Sequence, residues 1–131
     1  MVWSPLAGGL LSGKFTRSTQ SPEGARRSAF DFPPVDRERV YDLVDVMTPI
    51  AQAHGVSISA IALAWLLHRK GVMSVIVGAK TLEQLDDNLR ASQVRLTDKD
   101  IATLDEVSQP HPEYPGWMLE RQADERLPTR D

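Results

Sequence analysis

The run Val72-Met73-Ser74-Val75-Ile76-Val77 lies between helical stretches and is nearly continuous in apolar, β-branched residues. Such a run marks a buried parallel strand, because a strand with one wet face would alternate apolar with polar residues. Val2-Trp3 reads as the last residues of another strand, and the chain begins almost on top of it. Two short strands among helices point to the α/β class, mostly helical by content.

Composition narrows the function classes more than the fold. Hydrophobic residues make up 41% of the 131 and charged residues 25%, fractions of a globular protein rather than a disordered one. One domain is the natural expectation at this length. Against 18 Asp+Glu stand 15 Lys+Arg, a formal net charge of −3, which gives no reason to expect nucleic acid or an anionic membrane as partner. The chain has no cysteine. Disulfides, thiol catalysis and the usual structural zinc sites are therefore excluded, and a cytoplasmic setting is expected. Met1–Leu6 has no basic region followed by an apolar stretch, so it does not read as a signal peptide. The longest apolar run, 58–67, is about half of the ~20 residues that span a bilayer.

Helical periodicity begins at Asp36, with Val40, Leu43, Val44, Met47, Ile50 and Ala51 on one face. Pro49 is expected to kink that helix or tighten its end, and Gly55 to close it. Ser57 or Ser59 caps a second helix through Ala60–Leu67, apolar nearly all round and so packed on two sides, with Gly71 ending it. Thr81 opens a helix to about Ser92, and Thr97 another over 98–108. Residues 15–35 form a long loop of Ser, Thr, Gly, Pro and Arg, a length that is usually functional. Residues 109–131 form a proline-interrupted tail.

Two segments could carry chemistry. In Val77-Gly78-Ala79-Lys80-Thr81-Leu82-Glu83-Gln84-Leu85-Asp86-Asp87-Asn88, a strand leads through glycine into a helix start. First-turn amides, the helix dipole and Lys80 would favour an anion there. Gln84 and Asn88 share a helix face, with amides able to read a heterocycle. Equally, Thr81-x-x-Gln84 matches a capping box that needs no ligand. In Ser4-Pro5-Leu6-Ala7-Gly8-Gly9-Leu10-Leu11-Ser12-Gly13-Lys14, glycines would let main-chain amides contact a ligand and Lys14 meet a phosphate; the alternative is a tight connection with a surface lysine. His54, His68 and His111 lie far apart and suit helix-end or loop positions rather than a metal site. Asp86-Asp87 and Asp98–Asp100 read as solvated helix faces. Trp117 would flank a pocket or pin the tail to the core.

Taken in order, these segments resemble the aldo-keto reductase family. Trp3-Ser4-Pro5-Leu6-Ala7-Gly8-Gly9-Leu10-Leu11-Ser12-Gly13-Lys14 is similar to its seventh strand and following loop, and Val75–Asn88 to its eighth strand and NADP-binding helix start. Ala62-Leu63-Ala64-Trp65-Leu66-Leu67 resembles the helix between them. Tyr114-Pro115-Gly116-Trp117 is similar to the tail of the branch that includes aryl-alcohol dehydrogenases and potassium-channel β subunits. The resemblance implies the C-terminal fragment of a TIM (β/α)₈ barrel, covering about strands 7 and 8, their helices and the tail. It implies NADP as cofactor. Trp3, Ser4, Leu6 and Gly8 would line the nicotinamide and pyrophosphate stretch. Lys14 and Arg27 would belong to the covering loop. Gly78, Lys80, Gln84 and Asn88 would hold the adenosine end, with Lys80 near the 2′-phosphate.

The family's Asp-Tyr-Lys-His catalytic set belongs to strands and loops N-terminal to everything present, and neither Tyr41 nor Tyr114 matches it. No catalytic residue is therefore expected here, nor any metal ligand. A whole barrel takes ~250 residues, about twice this chain. The expected role is the cofactor-binding portion of an NADP-dependent reductase of aldehydes or ketones, inactive alone and associating through an exposed barrel edge. An NADP-sensing regulatory subunit and a non-catalytic helical interaction fragment are the alternatives. A misplaced internal start would account for the missing half.

Overall fold

The computed structural model describes residues 1–19 and 34–110, together with 115, 116, 118, 121 and 122. Most of the expected loop 15–35, including Arg27, and most of the tail, including Trp117, therefore lie outside the described residues. Among the described residues, a short 3₁₀ segment at Ala7–Ser12 is followed by α1 (Arg37–His54), α2 (Ile58–Leu67), α3 (Leu82–Arg90) and α4 (Asp98–Ser108). Among the described residues no single helix is long and apolar enough to cross a membrane.

Each helix starts where a side-chain oxygen can satisfy its first amides. Asp36, Ser57, Thr81 and Thr97 accept from Arg39, Ala60, Gln84 and Asp100 respectively. Ser57, not Ser59, is thus the cap of α2. Thr97 and Asp100 complete a reciprocal capping box, so α4 spans the expected residues. Helix α1 runs through Pro49, which sits on its exposed face, to His54. Gly55, at φ 64°, closes it by donating to Ala51 and Gln52. Helix α2 ends at Leu67, the last residue of the expected apolar run, where His68 turns its ring nitrogen onto the Ala64 carbonyl at 2.7 Å; Gly71 serves the turn beyond rather than closing the helix.

The core forms around α2, whose Ala60, Ile61 and Ala64 have no exposed surface. One cluster joins Ile61, Ala62 and Ala64 to Val44, Met47 and Ile50 of α1, to Leu10 and Phe15, and to Leu104 of α4. A second joins Ala60 and Leu63 to Ala91, with Val75 and Val77 packed against it. Packing on two sides is what its all-round apolar sequence predicts. Polar clasps hold α4 in place. Trp65 Nε1 donates to Asp105 at 2.7 Å, and Arg69 donates to both oxygens of Asp105 while lying over the Trp65 ring. The His54 imidazole lies 3.0 Å from Asp100, which also accepts from Thr97. Asp100 is therefore no solvated face residue: it is half-buried and joins α1 to α4. Arg17 reaches Glu38 and Asp42 on α1 and lies over the Tyr41 ring, tying down the chain beyond Phe15.

The strand expected at 72–77 is reduced to one parallel bridge between Val2 and Val75. Its bonds run from Val2 N to Ser74 O at 3.0 Å and from Ile76 N to Val2 O at 2.9 Å. No residue of 72–77 is buried, and Met73 is 91% exposed. A buried parallel strand needs neighbours along both edges and cover on both faces. Here one short neighbour and the α2 side supply only part of that. Helix α3 is inverted for the same reason. Leu82, Leu85 and Leu89 form an exposed stripe, while Gln84, Asp87 and Asn88 are its half-buried side.

Two tests follow from this packing. Gly13 holds φ 77°, and a Cβ there would meet Ile58 Cδ1 at 2.7 Å. Gly13→Ala should lower stability by roughly 1–2 kcal/mol, read as an earlier thermal melt. Hydrogen bonds from Arg69 and Trp65 hold the Asp105 carboxyl below its ordinary 3.8. For Asp100, burial pushes upward, but hydrogen bonds from His54 and Thr97 outweigh it and the carboxyl also sits low. Carboxylates held low stabilise the fold above their ordinary value and lose that contribution as pH falls through the depressed native one. Asp105→Asn should therefore melt earlier near neutral pH, and its melting temperature should fall less than the wild type's on acidification, by circular dichroism.

Candidate functional site

Three chain segments enclose a cleft of about 500 Å³. The glycine-rich segment contributes Leu6, Gly8 and Lys14; the start of α2 contributes Ser57 and Ser59; and the turn into α3 contributes Gly78, Lys80, Gln84, Asp87 and Asn88. Segments far apart in sequence thus meet across α2.

The glycine-rich wall is held in an unusual backbone. Gly8 and Gly9 take φ of 69° and 95°, and Ser4 and Ala7, which are not glycines, take 54° and 49°. Left-handed conformations of that kind cost on the order of 1–3 kcal/mol each outside glycine and persist only when the surroundings enforce them. The enforcement is visible. Ala7 N donates to Ser4 O at 3.0 Å, Gly9 N to Leu6 O at 2.9 Å, and Ser12 Oγ to Gly9 O at 2.6 Å. Leu10 and Phe15 then pin the chain that follows in the core, at 1% and 2% exposure. The result is a fixed glycine backbone facing the cleft, with Lys14 exposed at its rim.

At the opposite wall the capping alternative is realised in part. Thr81 Oγ1 accepts from Gln84 N at 3.2 Å, while Gln84 Oε1 reaches past the cap to accept from Lys80 N at 2.9 Å. Two amides at the head of α3 are thereby satisfied within the chain, and the Gln84 carbonyl oxygen is engaged. Its amide N–H groups are left for a ligand. The Lys80 and Lys14 ammonium groups have no carboxylate within salt-bridge reach among the described residues. Helix α3 therefore offers charge and amide donors rather than a fully bare N-terminus.

Asp87 was not expected at the site. It is no solvated face residue: it is half-buried, lines the cleft, and accepts a 2.6 Å hydrogen bond from Ser57 Oγ. Its spacing of three from Gln84 places it on the same helix face, a signal present in the sequence. The Ser57 contact depends on how α2 and α3 pack and has no sequence signal.

Of the ten residues expected to bind cofactor, Leu6, Gly8, Lys14, Gly78, Lys80, Gln84 and Asn88 line this one cleft. Trp3, 72% exposed, and Ser4 lie outside its lining, and Arg27 is outside the described residues. Tyr41 is buried under Arg17 in the core, and no tyrosine lines the cleft among the described residues. No group of three or more metal-ligating side chains occurs among them either.

Relatives share this stretch of chain. An NADH-specific methylglyoxal reductase of Escherichia coli (strain K12) is 32% identical over 108 residues, 82% of this chain and 33% of that protein. An aldo-keto reductase of Strobilurus tenacellus is 27% identical over 117 residues, 88% of this chain and 34% of the relative. An uncharacterized oxidoreductase of Bacillus subtilis (strain 168) is 33% identical over 101 residues, 77% and 29% respectively. The chain thus spans about a third of the length of the curated relatives it matches. The model of the aldo/keto reductase family matches residues 1–109, the stretch that contains both walls of the cleft, and the chain belongs to that family.

Proposed function

We propose that this chain is the dinucleotide-binding portion of an NADP-dependent aldo-keto reductase acting on aldehydes or ketones, in the aryl-alcohol dehydrogenase-like branch. One observation carries the reading: the glycine-rich segment and the turn into α3, far apart in sequence, converge on one cleft with a lysine on each wall. Val2-Trp3 and Val75–Val77 would be strands 7 and 8 of the barrel, a reading supported by their parallel bridge. Residues 15–35 would cover the cofactor, and 109–131 would border the substrate.

The residues present suit a dinucleotide. Glycine backbone admits a pyrophosphate closely. Lys14 and Lys80 meet phosphate as point charges. Leu6 and Phe15 give apolar wall, and Gln84, Asp87 and Asn88 give polar groups for a sugar or base. A bound reduced nicotinamide supplies the hydride for carbonyl reduction. This chain's residues hold and orient that ligand; none described here is placed to protonate a carbonyl oxygen. The isolated chain is therefore inactive in this reading.

Titration with NADPH and with NADH, followed by nicotinamide fluorescence, tests the binding directly. Saturable binding below millimolar cofactor is expected. Lys80→Met should weaken NADPH by about tenfold and NADH by less, from loss of a charge-assisted contact. The Escherichia coli relative is named NADH-specific, so equal loss for both would move the assignment toward NADH. Absence of binding at millimolar concentration would remove the reading, and carbonyl turnover by the chain alone would overturn its inactivity. A second expectation concerns the open edge. The leucine stripe of α3 should drive self-association, and replacing Leu82 and Leu89 by Lys should shift sedimentation toward the monomer. A monodisperse wild-type monomer with a sharp melt would contradict it.

A further inference from the structure

Ser57 has one hydroxyl proton, and it is committed. Its Oγ donates to Asp87 Oδ2 at 2.6 Å while accepting from Ala60 N at 3.0 Å. The first bond is in the range of a hydroxyl bound to a carboxylate. The second is the N-cap of α2. One oxygen therefore fixes the start of α2 and orients a carboxylate on α3, and both residues line the cleft. Asp87 Oδ1 is left without a partner among the described residues. Helix α3 has no buried residue of its own, so little apolar packing fixes the rotation of its polar side about the cleft. The Ser57–Asp87 bond supplies that orientation.

We infer that Ser57 is a positioning residue for the dinucleotide site, holding Asp87 so that its second oxygen accepts from a hydroxyl or amino group of the adenosine half. The inference rests on the dinucleotide reading above, and its test separates the two. Capping and tethering can be divided by substitution. Ser57→Asp keeps a good cap but has no proton to donate and sets a second carboxylate against Asp87. Ser57→Thr keeps both functions, and Ser57→Ala removes both. Melting temperature reports the cap; dissociation constants for NADPH, and for AMP as an adenosine-only probe, report the tether.

The expected result is Ser57→Asp melting close to the wild type yet binding NADPH and AMP about tenfold more weakly, with Ser57→Thr restoring both affinities. Ser57→Ala should lose stability and affinity together. Wild-type affinity in Ser57→Asp, or affinity that merely follows melting temperature across all three variants, would overturn the inference while leaving the dinucleotide reading intact. A wild-type chain that binds neither NADPH nor AMP would overturn both.

Discussion

Helix α2 is covered on opposite sides at once, and the cleft exists because of it. Ile61 and Ala64 face α1 and the glycine-rich segment, while Ala60 and Leu63 face Ala91 and the 75–77 segment. A helix apolar all round can be stable only between two layers. Small residues at 60, 62 and 64 let those layers approach closely. Removing apolar surface from water on both sides contributes roughly 25 cal/mol per Å² buried, far above what the exposed ion pairs of Arg17 add. The glycine-rich segment and α3 are thus brought to the two flanks of one helix start, and the cleft is the space between them.

Most of the helical frame was legible from local chemistry. Thr97 announces α4, His54-Gly55 closes α1, Ser57 or Ser59 opens α2 and Thr81 opens α3, because capping is a contact between residues three or four apart. The cleft-lining residues of the two walls were legible one segment at a time. Their meeting was not, since it depends on both walls packing on α2. Asp87 and Asp100 were misread for the same reason. Each looks like a solvated carboxylate until another helix brings a hydroxyl or an imidazole against it. The strand at 72–77 shows the opposite failure. Its composition calls for cover on both faces, and a single bridge to Val2 cannot provide it.

The inversion of α3 ties these observations together. Its leucines, Leu82 at 80% exposure among them, face water while its amides and carboxylate face the cleft. An isolated soluble helix would be selected for the reverse arrangement. In the proposed reading the stripe would pack against further elements of a barrel, so the cleft-lining and the exposed apolar residues of α3 would answer to different neighbours.

In the proposed function two distant segments form one dinucleotide site across α2, and hydrogen–deuterium exchange of the full chain, with and without NADPH, reads this out. Amides in 6–15 and in 78–88 should gain protection together, while those of α4, none of whose residues lines the cleft, should not change. Protection confined to one segment, spread evenly over the chain, or absent at saturating cofactor would contradict it.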